Sequence, residues 1–297
     1  MELHQLRYLV SVAETQNFTR AAERSAISQP SLSQQIINLE TELGHKLFHR
    51  LGRRAVPTEA GAVFLERARR ILTEVENATK EIRDDPSLDR SIVVGAIPTS
   101  APYLLPRVIE RCRSEHPNLL VHTREDFRAP LTRGVVDGEL DLAIISLPLK
   151  EHAVSVETIF TEPLLLAVGR QHPLAAKPNV VATDLATETF VLLGPGSTLT
   201  SETQRFCGDH DFVPKLGYEC SQVATVKAFV GLGLGISILP LSAKAPEDKE
   251  TLVYRKLSGR APQRDIAIIR HLQRYQSRGA QQFIAVLKEI AKDLPAH

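Results

Sequence analysis

A change in hydrophobic period divides this chain of 297 residues. From about Leu3 to Asp85, apolar residues recur at helical spacing; after a joint at Asp85-Pro86-Ser87 they gather into short runs separated by helix-length segments. Ile92-Val93-Val94-Gly95, Leu140 to Ile145 and Pro163 to Val168 read as buried strands. A helical module followed by an α/β region is therefore expected, and a chain of this length with 43% apolar residues can build more than one core.

Composition removes several classes of function. The 36 Lys plus Arg nearly balance the 35 Asp plus Glu, so any nucleic-acid surface must be local. Cys112, Cys207 and Cys220 form no CxxC pair, and Glu2, His4 and Arg7 open the chain, which argues against a disulfide framework and a signal peptide and for a cytoplasmic protein. The longest uncharged stretches, Ser91 to Pro106 and Ala228 to Ala243, are broken by proline or glycine and are too short to span a membrane. The histidines are scattered except for His45 and His49, so no metal site or cofactor is expected.

In the first module, Leu3, Leu6, Val10 and Ala13 share a helical face, and a second short helix is expected from about Phe18 to Ala26. Small residues Ala21 and Ala22 would let helices cross closely. Ser28 is a candidate N-cap and Pro30 suits a first turn, before Leu32, Ile36, Leu39 and Leu43 repeat as a third core face. Pro30, Gln34 and Ile37 fall opposite that face, with Ser33 and Asn38 on its flanks, so a short and mostly uncharged polar strip points outward. Amide and hydroxyl side chains can read base edges in a DNA groove, and Gln can make two hydrogen bonds to adenine. Residues Leu43 to Val56 then carry Lys46, Arg50, Arg53 and Arg54 with no acidic residue, in a pattern of two short strands around Leu51-Gly52. Such a basic wing would neutralise phosphates and fix register. Periodicity alone fits an ordinary helical interaction domain equally well.

The run LRYLVSVAETQNFTRAAERSAISQPSLSQQIINLETELGHKLFHR, followed by Arg53, Val56, Thr58, Ala60 and Gly61, resembles the winged helix-turn-helix of the LysR-type transcriptional regulators. The resemblance implies DNA contacts from Thr19, Arg20, Gln29, Pro30, Ser31, Ser33, Gln34, Ile37 and Asn38, and from Arg50, Arg53, Arg54 and Thr58 around the wing. At Gln34, Ile37 and Asn38 many family members carry basic residues, and this chain does not. Ile37 is therefore expected to touch a thymine methyl or to make no contact. From the N-cap Thr58, a long helix is expected to about Ile82, with Phe64, Ala68, Ile71, Val75, Ala78 and Ile82 spaced as a seam. A single amphipathic helix lying on its own domain would show the same stripe. The resemblance favours antiparallel pairing between subunits, which would set two recognition helices about one DNA turn, ~34 Å, apart.

The remainder resembles the family's two-lobed effector domain, itself similar to periplasmic solute-binding proteins, through Arg90 to Gly95, GELDLAII at 138–145, VGRQHPLA at 168–175 and GLGLGISILP at 231–240. The expected fold is α/β: an N-terminal winged helix-turn-helix (1–58), a linker helix (59–87), then a periplasmic-binding-protein-like domain with lobe one at 88–162 plus 268–297 and lobe two at 163–267. Ile97-Pro98-Thr99-Ser100 and Leu193-Gly194-Pro195-Gly196-Ser197-Thr198 would each deliver N–H groups and hydroxyls at a helix start, suited to a small organic anion. On pattern alone, simple caps are much the better reading of such residues. With the resemblance, Thr99, Ser100, Ser197 and Thr198 become candidate effector contacts, joined by Arg128 and Ser146 at apparent strand ends.

Gly231, Gly233 and Gly235 follow a helix-like stretch and precede a strand, the reverse of a dinucleotide loop, so they are read as a helix end and turn. Cys207 falls where peroxide-responsive family members carry their second reactive cysteine, while Thr198 replaces the first, so a buried free thiol is the favoured reading and redox control through Cys207 the alternative. The resemblance implies double-stranded DNA bearing an interrupted inverted repeat, a small-molecule effector and further copies of the chain, as dimer or tetramer, as partners, with RNA polymerase a further candidate. No nucleophile with a base, or set of metal ligands, is recognisable, so an enzyme is not expected.

Overall fold

The computed structural model describes residues 1–51, 54–83, 90–259 and 261–293. The expected joint at Asp85-Pro86-Ser87 and the wing tip Gly52-Arg53 lie outside the described residues. Two compact units divide at Asp85/Pro86.

The first unit contains α1 (Leu3–Thr15), α2 (Phe18–Arg24), α3 (Gln29–Leu43), the antiparallel hairpin β1 (Phe48–Leu51) and β2 (Arg54–Pro57), and the long α4 (Glu59–Arg83). Its core joins Leu6, Leu9 and Val12 of α1, Ala21 and Ala22 of α2, and Leu32, Ile36 and Leu39 of α3 to Phe48, Ala55 and Ala68. The buried stripe of α1 thus runs through Leu9 and Val12, whereas Leu3, expected on the core face, is 41% exposed. Two apolar stripes that share Leu6 overlap on this helix, and packing against α2 and α4 selects the second. Local chemistry sets the ends of α3: the Ser28 hydroxyl accepts from Ser31 N, Pro30 lies in the first turn, and Gly44 closes the helix at φ 69°. Thr58 caps α4 by accepting from Gly61 N at 2.9 Å. Gly61 is required there, because a Cβ would lie 1.9 Å from the Leu47 carbonyl oxygen.

The stripe of α4 divides between two environments. Phe64, Ala68 and Leu72 pack against the helical core, whereas Ile71 is 39% and Ile82 86% exposed.

The second unit comprises β3 (Arg90–Ala96), α5 (Ala101–Glu115), β4 (Leu119–Glu125), α6 (Arg128–Asp137), β5 (Leu142–Ser146), β6 (Val154–Gly169), α7 (Pro173–Ala176), β7 (Thr189–Leu193), α8 (Thr198–Gly208), β8 (Lys215–Cys220), α9 (Val223–Gly231), β9 (Ser237–Pro240), β10 (Leu252–Arg255), β11 (Gln263–His271) and α10 (Arg278–Lys292). In lobe one, β4, β3 and β5 run parallel, and β11 pairs antiparallel with both β5 and the first half of β6. In lobe two, the second half of β6 pairs with β9 and β10, and β7 pairs parallel with β8. Each lobe has its own core. The expected boundary at 267/268 cuts through β11. Because Gln263 to Ile266 already pair with Pro163 to Phe160, all of β11 belongs with lobe one and the return crossing precedes Gln263. Gly233, at φ 76°, turns the chain from the end of α9 toward β9, the helix-to-strand order read from the sequence.

A buried carboxylate fastens the wing to α3. Glu40 is 4% exposed, and its Oε1 accepts from Leu47 N at 2.8 Å and from Phe48 N at 3.4 Å while Oε2 meets Lys46 Nζ at 2.9 Å. Lys46 is 72% exposed, so its charge contributes less than the amides do. Glu40→Ala is expected to cost about 1–3 kcal/mol through the stranded N–H groups, and Lys46→Ala less than about 1 kcal/mol. Urea unfolding of the two variants checks this order, and equal losses would contradict it.

Candidate functional site

In the first unit, the Asn17 side chain accepts from Thr19 N at 2.8 Å and Arg20 N at 3.1 Å, leaving the side chains of Thr19 and Arg20 exposed at the start of α2. The Ser28 cap does the same for α3, where Gln29, Pro30 and Ser31 are exposed on the first turn. One turn on, Gln34 Nε2 donates to Asn38 Oδ1 at 2.9 Å, so these two amides form one polar ridge with Ile37 half-buried beside it. Ser33 departs from the expected outward strip: it is 9% exposed, on the flank that turns toward the core. On the hairpin, the Arg50 guanidinium lies 4.7 Å over the Phe18 ring, and Arg54 donates to Gln16 Oε1 at 2.9 Å. Thr58 donates to the Lys46 carbonyl at 2.7 Å while capping α4, so its hydroxyl is already engaged. Arg53 lies outside the described residues. A helix start with exposed amides and hydroxyls beside a cationic hairpin can enter a groove and hold phosphates.

In the second unit, five of the six candidate effector residues are buried where the lobes meet. Thr99 and Ser100 are each 3% exposed, Ser146 0%, Ser197 4% and Thr198 7%. Ser146, at the end of β5, donates to Thr198 Oγ1 at 2.6 Å, and this bond joins lobe one to the first residue of α8 in lobe two. Neither Ser100 nor Ser197 caps its helix through its side chain. Arg128 is half-buried and donates to the carbonyls of Ser146 at 3.3 Å and Pro148 at 2.7 Å.

An ion pair absent from the expected set organises this junction. Arg264 and Glu162, cross-strand partners on β11 and β6, are 2% and 3% exposed. Arg264 donates to Glu162 Oε1 from Nε at 2.9 Å and from Nη2 at 2.7 Å, to Thr99 Oγ1 at 2.7 Å and to the Thr99 carbonyl at 3.0 Å. Glu162 Oε2 accepts from Ser242 N of lobe two at 3.0 Å. Thr99 therefore serves the arginine instead of standing free for an anion. Glu202 on α8 is also buried, and burial lifts its carboxyl from 4.5 to about 7 against the pull of Arg264, Arg205 and Arg128, with Glu162 adding to the rise.

All three cysteines are free and buried. Burial pushes the Cys207 thiol up to about 11. Among the described residues no cluster of His, Cys, Asp or Glu could hold a metal ion, and no helix is long and apolar enough to cross a membrane.

Residues 3–62 match the model of the bacterial regulatory helix-turn-helix protein, lysR family, and residues 87–292 that of the LysR substrate binding domain. The chain is a LysR-type transcriptional regulator. Among its relatives, the hydrogen peroxide-inducible genes activator of Escherichia coli O6:H1 is 34% identical over 272 residues, 91% of this chain and 89% of that protein. The Hca operon transcriptional activator HcaR of Escherichia coli K12 is 31% identical over 292 residues, 97% and 98% of the two chains. A full-length OxyR variant from Pseudomonas aeruginosa superposes with a TM-score of 0.68 at 30% identity, covering 98% of this chain and 95% of that one. The LysR family consists of regulators that bind DNA and small-molecule effectors and assemble as oligomers. They are transcription regulators, not enzymes.

For this LysR-type regulator, sequence reasoning placed the hydroxyls but missed Arg264, Glu162 and Glu202. A local signal existed only for Glu202, four residues after Thr198 and hence on the same helical face. Arg264→Met, which strands a buried carboxylate, is expected to cost about 3–5 kcal/mol. Arg264→Met combined with Glu162→Leu should recover much of that loss. Chemical denaturation of the full chain measures both, and a double variant less stable than the single one would refute the account.

Proposed function

We propose that this regulator binds an interrupted inverted repeat as a dimer or tetramer and is controlled by a small organic anion held between the two lobes. The supporting observation is the buried Ser146 to Thr198 hydrogen bond of 2.6 Å, which puts hydroxyls from both lobes at one point beside the start of α8. The first N–H groups of a helix have no intrahelical partners and favour negative charge. An anion that inserts there exchanges a lobe-to-lobe bond for bonds to itself and so has different affinities for different lobe arrangements. A coupling of ~1–3 kcal/mol between the effector and DNA sites is enough for control.

On the DNA side, we assign base reading to Gln29, Pro30, Ser31, Gln34, Asn38 and Ile37 on α3, and phosphate contact to Thr19, Arg20, Arg50, Arg53 and Arg54 at the flanks, the Thr58 hydroxyl being engaged within the fold. The exposed Ile71 and Ile82 of α4 support subunit pairing along that helix. The effector reading is tested by thermal shift of the full chain with acetate, succinate and benzoate. At least one should raise the melting temperature of the parent and fail to do so for Thr198→Val, whereas equal stabilisation of both proteins would remove Thr198 from the site.

Redox control through Cys207 is the second reading, favoured by the peroxide-inducible activator among the relatives. Against it, Thr198 has no thiol, Cys207 is 0% exposed, and a thiol held up to about 11 is only on the order of 10⁻⁴ thiolate at neutral pH. Iodoacetamide should leave Cys207 unmodified in the native chain and label it after unfolding. Rapid native labelling, with loss of operator binding on peroxide treatment, would establish the redox reading instead.

A further inference from the structure

Thr198 and Glu202 stand one turn apart on α8 and share a face. Since Thr198 meets Ser146 of the other lobe, that face looks across the junction. Glu202 is 6% exposed, and among the described residues its Oε2 is a buried side-chain oxygen with no hydrogen-bond partner. Ser242 Oγ is another, on the residue whose N–H donates to Glu162. Two unsatisfied polar atoms thus belong to the surroundings of the Arg264–Glu162 pair, and unpaired buried groups in a folded protein mark places that something else completes.

The charged groups that act on Glu202 come from four elements: Arg264 on β11, Glu162 on β6, Arg128 on α6 and Arg205 on α8 itself. Arg264 is directed to Glu162 and Thr99, and Arg128 to two carbonyls. Neither is turned to Glu202 as an ion-pair partner.

We propose that Glu202 is a ligand-contacting residue of the junction, whose free oxygen carries a hydroxyl and donates it to the carboxylate of a small organic anion, so that anion and proton bind together. This rests on the organic-anion reading of the cleft. The proton comes from solvent in the fraction of molecules whose Glu202 is ionised, and no bond other than that O–H forms. An arriving carboxylate is a like charge, which favours the protonated form of its neighbour. Because burial has already brought the carboxyl up to about 7, the linkage operates near neutral pH. In the ligand-free protein the sign is that of a raised acid: its stabilising effect is complete below the ordinary value of 4.5 and is lost as pH rises through about 7.

Two measurements on the full chain test this. In the first, infrared difference spectra without ligand at about pH 6 should show a protonated-carboxyl band that Glu202→Gln removes, and no difference between the two proteins overturns the proposal. In the second, calorimetric titration with acetate, succinate and benzoate at about pH 6 and about pH 8 should show roughly tenfold weaker binding at the higher pH, with proton uptake. Glu202→Gln, neutral and still a donor, should bind equally at both pH values. If the parent binds a carboxylate with no pH dependence, or the dependence survives in Glu202→Gln, the role of Glu202 falls while the organic-anion reading stands. If none of the three binds the parent at either pH, the organic-anion reading falls and takes this proposal with it.

Discussion

The Arg264–Glu162 pair joins β11 to β6, the strand that carries the chain from lobe one into lobe two, and both side chains are withdrawn from water. Burying two charges is expensive, and attraction offsets that cost only when geometry is good and the remaining donors and acceptors are met. Here Arg264 meets Glu162 and Thr99, and Glu162 also meets an amide of lobe two. The pair therefore fixes the start of α5 against β11 and β6 in one register. Replacement by apolar residues could be as stable, but it would leave the Thr99 carbonyl and the Ser242 N–H without this connection. The pair gives the junction a defined position more than it gives the domain stability.

Beside that fixed point, the junction carries a neutral hydrogen bond. Among the described residues it includes the hydroxyl pair Ser146 and Thr198, Phe127 beside Gly196, and Tyr103 of α5 packed against the core of lobe two. A single neutral hydrogen bond contributes only about 0.5–1.5 kcal/mol. A ligand of modest affinity can therefore compete with it, as a sensor requires. In the winged module, every helix start is capped or boxed and the hairpin is tied to α3 through a buried carboxylate.

What could be read from the sequence follows the range of the interactions. The caps Ser28 and Thr58, the core positions Leu32, Ile36 and Leu39, and the helix-to-strand turn at Gly233 depend on residues within a few positions of one another, and each is found where its local chemistry put it. Ser33 sits at the edge of a face, where a small rotation of α3 decides between core and solvent. Arg264 and Glu162 are separated by 102 residues, and only the register of β11 against β6 brings them together. The misplaced end of lobe two has the same origin, since the pairing of Gln263 to Ile266 is invisible until the partner strand is known. The hydroxyls of Thr99 and Thr198 were found, but what they bond to was not.

On the organic-anion reading, Thr198 is the position that would change the kind of signal a shared fold answers. A threonine at the start of α8 cannot be oxidised to a disulfide, yet it keeps a polar atom at the junction and uses it to bond Ser146. Cys207, two and a half turns further along the same helix, is left as a core thiol behind Phe206 and Leu199, where burial suppresses the thiolate. Glu202 lies between them with a buried oxygen that no described residue hydrogen-bonds. On the organic-anion reading proposed above, with a hydroxyl at Thr198 and the Cys207 thiol buried, the groups that would respond at this junction exchange hydrogen bonds and protons. Those would be interactions for a reversible ligand, coupled to lobe position because Ser146 and Thr198 belong to different lobes.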